Sequence, residues 1–181
     1  MPELIERATP RLLMRQWRSS DRVPFAELNA DPRVMEFFPA ALAREESDAV
    51  AERCASLIGQ RGWGFWAVEL KTTGAFIGFV GLHTPTGLPF SPCTEIGWRL
   101  AFDHWGQGFA TEAAREALRV AFEVLRLEEI VSFTAVANRR SRAVMERLGM
   151  TASGSFEHPS VPLGNPLREH CLYRLRRPRD E

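Results

Sequence analysis

Apolar side chains recur at helical spacing from residue 110 onward: Ala110, Ala113, Ala114, Ala117, Leu118, Ala121, Phe122 and Leu125 step alternately by three and one. Such a stripe is one continuous face of an amphipathic helix, and its alanines let that face lie close to a sheet. Glu112, Arg115, Glu116, Arg119, Glu123 and Arg126 fall on the opposite side. As alternating-sign neighbours three and four apart they contribute roughly 0.2–0.5 kcal/mol per pair and read as a solvated face. Strands are predicted on either side, at Glu95–Ala101 and Glu129–Val136. A second helix opens at Asn138 and is stopped by Gly149 at C′. Thr151–Phe156 and Glu169–Leu175 supply two last strands.

Upstream the pattern is more broken. Arg11–Trp17 reads as a first strand, and Ser19-Ser20-Asp21 can cap a short helix that tolerates Pro24 in its first turn. Asp31-Pro32 restarts a helical pattern into Val-Met-Glu-Phe-Phe before Pro39. Val50, Cys54, Leu57 and Ile58 mark a helix over 45–60. Gly64–Leu70 and Ala75–His83 form a hairpin around Lys71-Thr-Thr-Gly74, and Pro85, Gly87, Pro89 and Pro92 mark a loop. A strand–helix–strand–helix–strand centre behind a hairpin implies an α/β protein, a mixed sheet with helices on both faces. No repeat or interdomain linker interrupts residues 1–181, so one domain is expected.

The junction before the alanine helix carries the first chemistry. His104 to Ala113 reads His-Trp-Gly-Gln-Gly-Phe-Ala-Thr-Glu-Ala, joining a strand to a helix through a turn with Gly106 and Gly108. The first amides of a helix have no internal partner, and the helix dipole adds partial positive charge there. Glycine removes the Cβ that would keep an anion off the backbone, so this is an anion site suited to a diphosphate. The spacing does not fit a Walker loop, because no Gly-Lys-Ser/Thr follows. It also fails the dinucleotide G-x-G-x-x-G, since position 111 is Thr.

Composition narrows the class. At 181 residues, 45% hydrophobic and 25% charged, the chain suits one ordinary globular domain. Lys+Arg and Asp+Glu are both 23, so no global field would recruit nucleic acid or membrane. Cys54, Cys93 and Cys171 are odd in number and lack C-x-x-C spacing, against both a disulfide framework and a metal site. With no long apolar run and no signal-like N-terminus, a soluble, cytoplasmic protein is expected. Whether it is a monomer or homodimer is not readable.

The glycine turn resembles the coenzyme A loop of the GCN5-related N-acetyltransferases (the GNAT superfamily), whose pattern is Arg/Gln-x-x-Gly-x-Gly/Ala. Gly108 and Ala110 fill its two small positions, and Trp105 stands where Arg or Gln is usual. That departure and the wording Trp-Gly-Gln-Gly-Phe-Ala-Thr-Glu-Ala are similar to the branch of the ribosomal-protein N-terminal acetyltransferases (RimJ/RimL-like). A second block, Asn138-Arg-Arg-Ser141 through Met145-Glu-Arg-Leu-Gly149-Met150, matches that branch's Asn-x-x-Ser…Glu-Lys-Leu-Gly helix. The resemblance runs from about Thr9 to Arg176.

The resemblance implies a single-domain fold with a mixed, mostly antiparallel sheet of about seven strands, splayed in the middle and flanked by about four helices. The strands at Glu95–Ala101 and Glu129–Val136 would part, and the thioester and pantetheine arm of acetyl-CoA would enter the gap. Arg99, Leu100 and Ala101 would pair their backbone with the pantetheine amides. Trp105, Gly106, Gln107, Gly108, Phe109, Ala110 and Thr111 would hold the diphosphate, with Asn138 and Ser141 beside the arm. The implied enzyme is an N-acetyltransferase acting on a primary amine, either a small molecule or a protein N-terminus.

Amine attack on a thioester needs a base for the ammonium proton and a proton source for the departing thiolate. Glu95 is the leading base candidate, on a strand where several of these transferases carry a catalytic glutamate. His83 and His170 are alternatives, since neutral imidazole accepts a proton near pH 7. The thiolate's proton is assigned in this family to a tyrosine at the position of Met145, which cannot donate. Ser141 is the substitute, with Tyr173 competing. No Cys-His or Ser-His-Asp arrangement is visible, so direct attack in a ternary complex is expected over an acyl-enzyme at Cys93 or Cys171. Phe37, Phe38, Trp66 and Trp98 are candidates for the acceptor groove, and the stretch from His158 through Pro159, Pro162, Gly164 and Pro166 reads as a rim or lid. Arg139, Arg140 and Arg142 oppose the helix dipole unless an anion such as the cofactor's 3′-phosphate compensates. Two alternatives stay open: an acyl-CoA sensor without turnover, and a transferase for another acyl group such as succinyl, its carboxylate paired by Arg99 or Arg142.

Overall fold

The computed structural model describes residues 1–179. Eight strands form one sheet in the order β1-β2-β3-β4-β5-β6-β8-β7. In chain order they are β1 (Arg7–Ala8), β2 (Leu12–Arg15), β3 (Phe65–Leu70), β4 (Phe76–His83), β5 (Glu95–Leu100), β6 (Glu129–Ala135), β7 (Thr151–Glu157) and β8 (Glu169–Arg176). The helices are α1 (Arg22–Ala30), α2 (Arg44–Arg61), α3 (Phe109–Arg119) and α4 (Arg139–Arg147). Every adjacent pair is antiparallel except β5 and β6.

The alanine stripe does what its spacing demands. Ala113, Ala114, Ala117, Leu118, Ala121 and Phe122 are all buried, and α3 packs on β4 and β5. Its last turns widen to a π-helix at Val120–Val124 before Arg126 adopts φ 56°. On the other face α1 lies against α2 and β4, and Phe25 meets Phe79 edge-on at 6.0 Å. Ser19–Asp21 forms a short 3-10 turn leading into α1. There Asp21 receives Arg15 Nη1 and Nη2 at 2.8 and 2.9 Å, a buried bidentate pair joining β2 to the helix.

The upstream region differs from expectation in two places. The segment after Asp31-Pro32 forms turns rather than a helix. Asp31 turns its carboxylate onto Arg33, accepting at 2.9, 3.0 and 2.7 Å, and Pro39 closes a stretch too short to propagate. The edge strand β1 was also not anticipated: two residues, Arg7 and Ala8, pair with Met14 and Leu13. Asn138 caps α4, its Oδ1 accepting from Ser141 N at 3.2 Å. Gly149 follows that helix at φ 81°, as a C′ glycine should.

The site is made where β5 and β6 meet and part. Their parallel pairing consists of Glu95 opposite Val131, with Val131 N donating to Thr94 O at 3.0 Å. One residue on, the buried Ser132 hydroxyl donates to Ile96 O at 2.9 Å and takes up the next carbonyl. Beyond that point the strands diverge.

Candidate active site

The divergence opens into a cleft of about 1420 Å³ that runs from the glycine turn to the loop after β7. Ladder parity decides which backbone groups face it. Ala101 N donates to Ile77 O, and the register pairs Arg99 with Phe79, so Arg99 and Ala101 turn their backbone toward β4. Trp98 and Leu100 face the gap instead. The Leu100 carbonyl is already taken by Trp105 Nε1 at 2.9 Å. The groups left for an added strand are the amide and carbonyl of Trp98 and the amide of Leu100. This shifts the expected pairing by one residue, because alternation along a strand, not proximity, sets direction.

At the mouth of the gap Gly106 and Gly108 adopt φ 71° and 81°. A Cβ at Gly106 would meet nothing within 4 Å, and one at Gly108 would approach Arg11 Nη2 at 3.4 Å. Gly108 is the N-cap of α3, so the amides of Phe109, Ala110 and Thr111 lack helical acceptors. Of the expected loop residues, Gln107 and Ala101 do not line the cleft. Gln107 contributes its carbonyl to Arg11 Nη1 at 2.9 Å.

Arg11 was invisible to sequence reasoning, being about a hundred residues away with no local signal. Its Nε donates to Glu112 Oε2 at 2.6 Å, and its guanidinium lies 4.4 Å over the Phe109 ring. Burial alone would raise the Glu112 pKa, but hydrogen bonds from Thr9 and Arg11 outweigh it and hold the carboxyl below its usual range. A second cation, Arg140, lies 4.5 Å over Trp105. Trp105 ties the turn to β5 through its indole N–H, and the Arg140 guanidinium above it also pairs with Glu36 at 2.8 Å. The residues present fit a diphosphate.

Deeper in the cleft lies Asn138. Its Nδ2 donates to Thr134 Oγ1 at 2.9 Å and to Ser141 Oγ at 3.1 Å. The Ser141 oxygen is therefore an acceptor already, which leaves its own proton to give. Met145, buried on the same helix, lies at the cleft wall.

Glu95 sits at the junction itself. It is half-buried, and the surface it keeps opens onto the cleft. Desolvation pushes its pKa up to about 8. Gly97, two residues along the same face, leaves room: a Cβ there would stand 3.2 Å from the Phe65 ring and 3.6 Å from Glu95 Oε1. Arg99 follows on that face, its Nη1 donating to Asn29 Oδ1 at 2.8 Å.

The other candidates separate. His170 lines the cleft beside His158, ring centroids 4.8 Å apart, and burial lowers the pKa of both. His83 is cross-strand from Glu95 but stacks on Phe65 at 5.4 Å and does not line the cleft. Tyr173 is buried away from it, donating to Glu146 Oε1 at 3.2 Å, so it is removed as a proton source. Arg142 is likewise turned aside, donating to Val136 O at 3.0 Å. Phe37, Phe38 and Trp98 do line the cleft. Trp66 does not: it is fully buried, its Nε1 donating to Ile5 O at 2.7 Å, because inward positions of an interior strand face the core. His158, Ser160 and Val161 bring the predicted rim to the cleft edge. None of the three cysteines lines it. Among the described residues no cluster could hold a metal ion, and no helix is long and apolar enough to cross a membrane.

The sheet thus splits between two parallel strands, with a glycine-capped helix N-terminus at the mouth of the cleft and polar side chains at its vertex. Known proteins agree. The family profile described as "Acetyltransferase (GNAT) domain" matches residues 11–151, and the chain belongs to this family of acyltransferases. It is 34% identical over 141 residues to an FsC-acetyl coenzyme A-N(2)-transacetylase of Aspergillus fumigatus. That match takes in 72% of this chain and 58% of the fungal protein, so the chain spans little more than half that relative's length. An acetyltransferase structure from Agrobacterium tumefaciens superposes with TM-score 0.78 at 29% identity, covering 98% of this chain and 97% of the other. RimL, a ribosomal α-N-protein acetyltransferase in complex with coenzyme A, shares the fold at TM-score 0.74 and 17% identity, over 94% and 97% of the two chains.

Proposed function

We propose that this chain moves an acetyl group from acetyl-CoA to a primary amine by direct attack within a ternary complex. The observation that carries the reading is Glu95: a carboxyl raised to about 8 by desolvation alone, placed where the two strands part. The glycine turn, Arg11 and the free backbone of Trp98 would hold the cofactor, which supplies an activated acyl carbon when bound. As carboxylate, Glu95 takes the proton released as the amine nitrogen bonds to that carbon. Ser141, its oxygen engaged by Asn138, hydrogen-bonds the departing sulfur and relays a proton from water to it as the carbon–sulfur bond breaks, so that the hydroxyl is restored. Of the expected Arg99, Leu100 and Ala101, only Leu100 would keep its place against the arm, and Trp98 would take over from the two that pair with β4. Absence of a thiol from the cleft favours one-step transfer over an acyl-enzyme.

Acceptor-stimulated thiol release from acetyl-CoA with a panel of amines tests the proposal. Thiol should appear only with an amine present, alongside one equivalent of N-acetyl product. Tight coenzyme A binding without acceptor-stimulated release would overturn it in favour of a sensor.

A further inference from the structure

Arg99 is a half-buried guanidinium on the cleft wall that has no carboxylate partner among the described residues. Among the described residues it makes one hydrogen bond, Nη1 to the neutral Asn29, and its Nε is buried and unsatisfied. The guanidinium lies over the rings of Phe38 at 4.4 Å and Phe79 at 5.4 Å. Asn29 in turn donates to the buried Ser47 Oγ at 2.9 Å, so the residue steadying the guanidinium is itself fixed. Desolvation lowers the Arg99 pKa to about 10, opposed only by the nearby Cys54 thiol and by no carboxylate. Burying a charge without a counter-ion is costly, and the guanidinium opens onto the same cleft as Glu95.

The two groups share one face of β5, with only Gly97 of that face between them. Their Cα atoms are about 13 Å apart by strand rise, and neither shifts the titration of the other. A ligand reaching both carries an amine at one end and an anion several bonds away. An α-amino acid, whose two groups share one carbon, is too short. The walls between them are Phe65, Phe79 and Phe38, which suit an apolar spacer.

Building on the transferase reading above, we propose that the acceptor is an amino-carboxylate whose carboxylate lies several bonds from the reacting amine and is bound by Arg99. The carboxylate could end an ω-amino acid or a short peptide. Arg99 then determines acceptor specificity, and its guanidinium fork supplies the paired donors a carboxylate accepts.

The test compares ε-aminocaproate with hexylamine, and trialanine with trialanine amide, as acceptors of the intact protein with acetyl-CoA. The carboxylate-bearing member of one pair should be preferred, and which pair responds identifies the source. In Arg99→Met the ratio of kcat/KM for carboxylate over neutral acceptor should fall about 10–100-fold, the loss of a charge-assisted hydrogen bond. Arg99→Lys should restore part of it. Caproate, which has no amine, should bind the wild-type protein and not Arg99→Met in calorimetric titration with coenzyme A present. That arm stands even if no amine is acetylated, so failure of the transferase reading is separable. Equal use of the paired acceptors, with caproate binding unaffected by Arg99→Met, overturns the proposal. So does an Arg99→Met effect confined to succinyl-CoA as donor, which would place the anion on the acyl group.

Discussion

In the proposed mechanism Glu95 and Ser141 divide the proton work by environment. An exposed glutamate is too acidic to hold a proton near neutrality, but Glu95, raised to about 8 by burial, is protonated over much of that range. The deprotonated form is the one that acts, so kcat/KM should climb as pH rises and level off above about 8. Glu95→Gln should lower kcat/KM about 10²-fold and leave acetyl-CoA affinity intact; a mutant with wild-type kcat/KM and the same acidic limb would move the base to His170, the remaining histidine candidate on the cleft. A low-pKa acceptor amine separates the enzyme's limb from that of the substrate. Ser141→Ala should cut kcat by roughly 10²-fold with KM for acetyl-CoA little changed. Tyr173→Phe, by contrast, should affect stability rather than rate, since that hydroxyl serves Glu146. Stopped-flow thiol release and thermal melts distinguish these outcomes. Sequence alone named Glu95 and put Ser141 ahead of Tyr173, but it could not remove Tyr173: strand position says nothing of which face a hydroxyl takes when β8 lies between β6 and β7.

At the level of elements, the glycine turn is a backbone device. Gly108 has φ 81° and lines the cleft at the N-terminus of α3, so a long acidic side chain there brings both strain and a negative charge into the anion space. Gly149 has φ 81° with open space around it and lies outside the cleft. Gly108→Glu should abolish coenzyme A binding in calorimetry, whereas Gly149→Ala, with comparable strain, should lower Tm and leave affinity near wild type. If both variants lose affinity equally, strain rather than anion access explains the turn. This turn was legible because its chemistry is local: two glycines, a strand before and an alanine stripe after. The α4 signals were local too, Asn138 at one end and Gly149 at the other. Where the outcome depended on distant partners, local pattern failed. Asp31-Pro32 looks like a helix start until Arg33 takes the carboxylate. Trp66 looks like a groove residue until β3 is flanked on both sides by strands. Arg11 joins the glycine turn only because β2 and α3 are brought together.

Across the whole molecule the site carries a cost in stability, and its pH dependence has a definite sign. Glu95 has an ordinary pKa of 4.5 when unfolded and about 8 in the folded protein. Below 4.5 both states hold the proton and the group contributes no difference. Between 4.5 and about 8 the unfolded chain releases it while the folded protein keeps it, so the folded state binds more protons and each rise in pH destabilises it. Above about 8 the buried carboxylate is charged and the penalty is complete. Glu95→Gln removes this term while conserving shape. Its Tm should therefore exceed that of the wild type, with a gap that widens across this window and then stays constant, on the order of several degrees for a domain of this size. Arg99 offers the contrast: lowered only to about 10, it stays charged throughout the window, so any Tm offset in Arg99→Met should be flat across it. Melting curves of the three proteins over a pH series check both. A Glu95→Gln gap that narrows with rising pH would mean the carboxylate is stabilised by a partner in the folded state, and its role as an unpaired base at the strand junction would have to be abandoned.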